Sequence, residues 1–113
     1  MNAFLVGILF VLGSPRRAPP GAFSLTSPAN SATSVSRLPT LTWTASSGAA
    51  TYTLEAASDV GFTNILLSQV GIVTTSYTPG APVALGVTIF WRVTAVSAGG
   101  TTLATELRSR LRS

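Results

Sequence analysis

Apolar and polar residues alternate along much of the chain after residue 22, which is the pattern of β-strands that bury one face. Leu41 and Trp43, for example, stand on either side of Thr42. Turn-forming pairs such as Pro79-Gly80 and Gly99-Gly100 separate the alternating stretches. We therefore predict an all-β domain of seven short strands, at residues 23–26, 41–44, 51–56, 65–70, 75–78, 89–96 and 101–107.

The inward positions of these strands hold large apolar side chains, and they predict the core. Trp43 and Trp91 alternate in phase with leucine and valine, and no polar neighbours suggest a sugar site, so we expect both to pack inside the domain. The predicted core comprises Leu41, Trp43, Tyr52, Leu54, Ile89, Trp91 and Val93.

Some outward positions are apolar, and they suggest a contact surface. Phe90 and Val96 fall on the face that the alternation turns toward solvent, with Arg92 between them. Phe62 lies in the loop predicted at residues 59–64, where it would either cover the open end of the domain or anchor a ligand. We predict that these four residues form a candidate surface contact with another protein.

Several motifs resemble those of fibronectin type III domains, in the same order and at similar spacing. The segments are LPTLTW at 38–43, GAATYTL at 48–54, DVGF at 59–62, TSYTP at 75–79, FWRVTA at 90–95 and GGT at 99–101. The resemblance covers about 80 of the 113 residues. It implies a seven-stranded immunoglobulin-like sandwich, of a kind found mostly outside the cytoplasm.

The resemblance carries two further expectations. The third and sixth strands of such a sandwich are neighbours, so Glu55 and Arg92 would face each other as an ion pair. The family also tends to have a tyrosine early in the sixth strand, which ties down the preceding loop. That position holds Ile89 in this chain, and the loop at residues 85–87 would then be held by apolar packing.

The N-terminal segment, residues 1–13, reads MNAFLVGILFVLG and is uncharged and apolar. It is short for a complete membrane span, which needs about 20 residues. An anchor in a membrane or a partner, a signal or mis-assigned start, and a strand on the domain itself all remain open. The predicted membrane or partner contacts are Phe4, Leu5, Ile8, Leu9, Phe10, Arg16 and Arg17.

These features divide the chain into four parts. The apolar segment at 1–13 precedes a proline-rich linker at 14–22, the sandwich at 23–107 and an arginine-rich tail at 108–113. The net charge of +4 comes mainly from arginines outside the predicted sandwich. Because they form no basic stripe with aromatic platforms, nucleic-acid binding is not expected.

Composition also bears on the chemistry available to the chain. It has no histidine or cysteine and three carboxylate side chains, Glu55, Asp59 and Glu106. Acid–base catalysis requires paired titratable groups, and metal sites require several convergent ligands. We therefore predict no catalytic, cofactor-binding or metal-binding residues and no small-molecule substrate.

Taken together, the sequence predicts a non-catalytic structural or interaction subunit. The sandwich would lie outside the cytoplasm, at a cell surface, in the periplasm or secreted, and would join a larger assembly or a membrane through its N-terminal segment. Two alternatives remain open at this point. The chain could decorate a virion or a filament, or it could be a carbohydrate-binding or adhesive module.

Overall fold

The computed structural model describes residues 18–83, 86–106 and 109–112. Within these ranges the chain forms eight strands and no helix, which confirms the prediction of an all-β sandwich. The strands are β1 (Leu25–Ser27), β2 (Leu41–Trp43), β3 (Thr51–Ala57), β4 (Ile65–Ile72), β5 (Ser76–Tyr77), β6 (Thr88–Ser97), β7 (Gly100–Leu103) and β8 (Ser109–Arg112).

Two antiparallel sheets enclose one core. The smaller sheet has the order β1-β2-β5, and the larger has the order β4-β3-β6-β7 with β8 also paired to β6. β3 and β6 therefore form the centre of the larger sheet, in a register that places Leu54 opposite Val93 and Glu55 opposite Arg92. The prediction that the third and sixth strands are neighbours in one sheet is confirmed.

The core follows the period-two pattern of the sequence. Side chains along β6 alternate between buried and half-buried, and Trp91 and Val93 are fully buried. Trp43 and Tyr52 meet edge to face with ring centroids 5.6 Å apart, and Phe23 contacts Tyr52 in the same way at 5.8 Å. All seven residues of the predicted core are buried in the structure.

The last predicted strand, residues 101–107, is shorter in the structure, where β7 ends at Leu103, and a further strand, β8, begins at Ser109. β7 pairs with the end of β6, where Leu103 faces Thr94, and β8 pairs with its beginning, where Ser109 faces Trp91. Since β3 occupies the opposite edge of β6, β7 and β8 lie along one common edge. Ser109 follows Leu103 by six positions, whereas their partners Trp91 and Thr94 are three positions apart, so the chain from β7 to β8 has three more residues than the stretch of β6 beside it.

The predicted arginine-rich tail is consequently wrong for residues 109–112, which form β8. Ser109 and Leu111 point inward and are buried, whereas Arg110 and Arg112 are exposed. The sandwich extends beyond residue 107 because Leu111 joins the core cluster. The sequence analysis did not predict this strand, because its alternating arginines give the segment the composition of a solvated tail.

The outer edge of β8 is covered by the chain between β1 and β2. Ser31 N–H donates to the carbonyl of Arg110 at 2.7 Å, and Val35 N–H donates to that of Arg112 at 3.0 Å. The Arg112 N–H in turn donates to the carbonyl of Ala32 at 2.9 Å. These bonds satisfy backbone groups that an open sheet edge would expose.

The sandwich also begins earlier than the sequence predicts, within the proline-rich linker. Pro20 is buried, and its carbonyl accepts a 2.6 Å hydrogen bond from the Thr102 hydroxyl. Gly21 N–H donates to the carbonyl of Ser47 at 2.9 Å. Residues 1–17 lie outside the described residues, including the predicted contacts at Phe4, Leu5, Ile8, Leu9, Phe10, Arg16 and Arg17.

Candidate interaction surface

An ion pair occupies the middle of the exposed side of the larger sheet. Arg92 and Glu55 lie directly opposite each other on β6 and β3. Nε of Arg92 donates to Oε1 of Glu55 at 2.8 Å, and Nη2 lies 2.8 Å from the same oxygen. The two side chains are 33% and 28% exposed, so water still screens the pair, and we expect it to stabilise the fold by at most about 1 kcal/mol.

The loop between β3 and β4 is held by Asp59. Its carboxylate accepts hydrogen bonds from the backbone N–H groups of Asn64 at 2.8 Å and Thr63 at 3.1 Å, and from the Thr63 hydroxyl at 2.7 Å. These donors favour the charged carboxylate, so they lower the pKa of Asp59, the Asn64 N–H most of all. The result is a tight loop in which Phe62 adopts a positive φ of 55°.

This loop places the Phe62 ring on the ion pair. The guanidinium carbon of Arg92 lies 4.1 Å from the ring centroid, a cation–π geometry. The guanidinium thus contacts a carboxylate and an aromatic face at the same time. Of the two roles predicted for Phe62, covering the open end of the sandwich is wrong, because the ring lies over the sheet beside Arg92.

Apolar side chains flank this cluster along the sheet. Phe90 and Val96 are half-buried on β6, on the same side as Arg92. Leu103 of β7 faces Thr94 across the strands and is 41% exposed. We call Phe62, Phe90, Arg92, Val96 and Leu103 the outer face. Leu103 was not among the predicted residues, although continuing the alternation through the Gly99-Gly100 hairpin would have put it there.

A shallow polar cleft lies at the Phe90 end of the outer face. It has a volume of about 310 Å³, and Asn30, Ser31, Glu106 and Arg110 line it with Phe90. The Arg110 Nη2 donates to the Ser31 hydroxyl at 2.9 Å, and its backbone N–H donates to Oδ1 of Asn30 at 3.0 Å. The sequence did not indicate this cleft, because it forms where β8 meets Asn30 and Ser31, which are distant in the chain.

The three carboxylates of the chain are separate and have structural partners. Glu55 binds Arg92, and Asp59 caps its own loop. Glu106 accepts a 3.0 Å hydrogen bond from the backbone N–H of Leu25. Among the described residues no three acidic, histidine or cysteine side chains come together as a metal-binding group would require.

Comparison with solved structures shows what this fold resembles. No protein-family model matches the sequence, and comparison with the curated proteins finds no match. The crystal structure of a Fn3-like protein from Clostridium thermocellum is similar, with a TM-score of 0.57 and 26% sequence identity. The match covers 87% of this chain and 94% of that chain. The chain has a fibronectin type III-like fold.

One departure from the fibronectin type III-like pattern is visible in the structure. Ile89 occupies the place at which the resemblance implies a tyrosine, and it is buried opposite Leu111. Val83 and Val87 pack against the core on either side of the preceding loop. Of the loop predicted to be held by apolar packing, Val87 has such a contact, and Leu85 lies outside the described residues.

No part of the described chain forms a long apolar helix of the kind that spans a bilayer.

Proposed function

We propose that this protein is a non-catalytic interaction module that recognises another protein through its outer face. The observation that carries the proposal is the ordered Glu55–Arg92–Phe62 cluster bordered by Phe90, Val96 and Leu103. Protein interfaces are enriched in aromatic residues and arginine, and binding energy concentrates at such anchors. Because Arg92 is already held by a carboxylate and a ring, it would lose little conformational entropy on binding.

We further propose that the N-terminal segment attaches this module to a membrane or to a larger assembly outside the cytoplasm. The support is the uncharged, apolar composition of residues 1–13. A segment of that kind favours burial in lipid or protein over exposure to water. The outer face would then be presented to the partner while the N-terminal segment holds the module in place.

The outer face can be tested by site-specific photo-crosslinking in cells that produce the chain. Benzoylphenylalanine at position 96 should yield one discrete adduct, and that adduct should disappear in the Arg92→Glu background. The control is the same probe at Ser76, an exposed residue on β5 of the smaller sheet. Absence of an adduct at position 96, or the same adducts from both positions, would exclude this role for the outer face.

The attachment can be tested separately by flotation with phosphatidylcholine vesicles. The full chain should float with the vesicles, and Phe4→Asp together with Phe10→Asp should release it. A chain that stays monomeric in solution and does not float would contradict the membrane form of this attachment.

A carbohydrate-binding module is the second candidate, and the polar cleft beside Phe90 favours it. Sugars are held by an aromatic face together with amide, carboxylate and guanidinium groups, and all four types line this cleft. Binding on a glycan array that is lost in Phe90→Ala but kept in Phe62→Ala would support this candidate over the first. No binding across the array would count against it.

A further inference from the structure

A second region of the sandwich, separate from the outer face, forms an apolar cavity. It lies between the two sheets at the end where β2, β4 and β6 begin, and its volume is about 440 Å³. Ligand pockets are typically about 300–1,000 Å³. Its walls are largely aliphatic and include Leu41, Leu67, Val83, Val87, Ile89 and Leu111.

The mouth of this cavity carries exposed apolar groups. Leu66 is 54% exposed, and Ala81 of the proline-rich turn after β5 is also exposed. Among the described residues that line the cavity, Ser58 and Thr88 provide the polar side chains and none is acidic. An apolar chain could therefore enter without displacing strongly hydrated groups.

Two arginines stand beside the cavity. The Nε of Arg37 donates to the carbonyl of Val83 at 2.8 Å, and Nη1 of Arg112 donates to the hydroxyl of Thr88 at 3.3 Å. Both acceptors belong to residues that line the cavity. The two arginines are also linked through the chain, since Val35, two residues before Arg37, donates its N–H to the carbonyl of Arg112. Both are exposed and charged at the cavity rim.

We propose that this cavity binds an amphiphile that has an aliphatic tail and an anionic head. The tail would occupy the space between Leu41, Val87 and Leu111, and the head would meet Arg37 and Arg112 at the rim. Charge complementarity selects an anionic head, because the described rim has two guanidinium groups and no carboxylate among the cavity-lining residues. Fatty acids and anionic membrane lipids share this chemistry.

Titration calorimetry of the full chain with laurate below its micellar concentration tests the proposal. Laurate should bind with one-to-one stoichiometry, dodecanol more weakly, and dodecyltrimethylammonium most weakly, since the three share a tail and differ in head charge. Arg37→Ser and Arg112→Ser should each weaken laurate binding about two- to fivefold, as expected for exposed charges. Arg110→Ser, which removes the same charge two residues away, should have a smaller effect.

Ala81→Trp fills the cavity from its exposed rim without altering a buried residue, so it should abolish laurate binding while the unfolding transition is unchanged.

Vesicles with phosphatidylglycerol distinguish the two sources of ligand. Vesicle binding that Ala81→Trp removes would assign the head group to a membrane lipid, and laurate binding without it would assign a free fatty acid. No laurate binding, equal binding of all three head groups, or binding that survives Ala81→Trp would overturn the proposal.

Discussion

At the scale of single residues, the two tryptophans combine tight packing with an unsatisfied donor. Trp43 and Trp91 are 3% and 0% exposed, and neither indole N–H has a hydrogen-bond partner among the described residues. An unpaired buried donor costs about 1–3 kcal/mol, which partly offsets the stability gained by burying the ring. Shape and apolar area, rather than hydrogen bonding, therefore account for tryptophan at these positions.

Because burial of the ring and the unpaired N–H have opposite effects, two substitutions of Trp91 should lower the free energy of unfolding by different amounts. Trp91→Ala should destabilise the domain by about 3–5 kcal/mol, because it leaves a large cavity. Trp91→Phe should cost about half as much or less, since it keeps most of the ring volume and removes the unpaired N–H. Urea unfolding followed by circular dichroism measures both. Equal losses would show that the indole nitrogen has a partner.

Asp59 gives the loop that carries Phe62 a dependence on pH. Its pKa is lowered in the folded state, so it stabilises the fold when the pH is above the unfolded-state pKa of about 4. That contribution is lost as the pH falls through the lower, folded-state value. Carboxyl NMR titration should find the pKa of Asp59 below the ordinary range for aspartate, and Thr63→Val should raise it by removing the hydroxyl donor. An unchanged pKa in Thr63→Val would contradict this account.

The contact between Phe62 and Arg92 predicts a measurable coupling. Cation–π pairs at exposed sites contribute about 0.5–1 kcal/mol. A double-mutant cycle with Phe62→Ala and Arg92→Ala should give a coupling of that size in the free energy of unfolding. The control cycle of Phe62→Ala with Arg112→Ala should be additive, because Arg112 bonds to Thr88 at the cavity rim. Additivity in both cycles would mean that the ring and the guanidinium do not interact in solution.

The sequence predicts the environment of a residue well where that environment depends on neighbours in the chain. It predicts less where the environment depends on distant parts of the chain. Leu54, Trp91 and Val93 follow from period two, because a strand with one buried face fixes its inward positions locally. The Glu55–Arg92 pair needed the family resemblance, since it depends on which strands are neighbours. The position of Phe62 could not be foreseen, because it depends on a positive φ and on hydrogen bonds that Asp59 makes within its loop.

At the scale of elements, β8 shows how charge can conceal a strand. Its four residues alternate buried and exposed, but two arginines in four positions give the composition of a tail. The register on β6 also shifts by three residues between β7 and β8. Such a shift depends on pairing with β6, so a single sequence does not reveal it.

The assignment of β8 to the sandwich predicts a clear contrast between neighbouring substitutions. Leu111→Ala should destabilise the domain by about 2–5 kcal/mol, because Leu111 is 1% exposed and belongs to the core cluster. Arg112→Ala on the exposed side should change stability by about 0.5 kcal/mol or less. Thermal unfolding of both variants provides the measurement. A neutral Leu111→Ala would instead support a solvated tail.

At the scale of the whole molecule, the core of the described residues is separate along the chain from the segment proposed to attach it. Among the described residues, the buried core runs from Phe23 to Leu111. The strands that hold it pair with one another, and Pro20 is the earliest buried residue among those described. Contacts among the described residues thus connect both sheets around this core.

Deletion of residues 1–17 should therefore leave the sandwich folded, with a free energy of unfolding within about 0.5 kcal/mol of the full chain. The slope of the urea transition should also be unchanged, because that slope reports the surface exposed on unfolding. The same deletion should abolish vesicle flotation if the N-terminal segment is the anchor. A shallower transition or a lower free energy of unfolding would show that the N-terminal segment packs on the domain, which is one of the interpretations that its sequence left open. Part of the core would then be formed by residues before position 18.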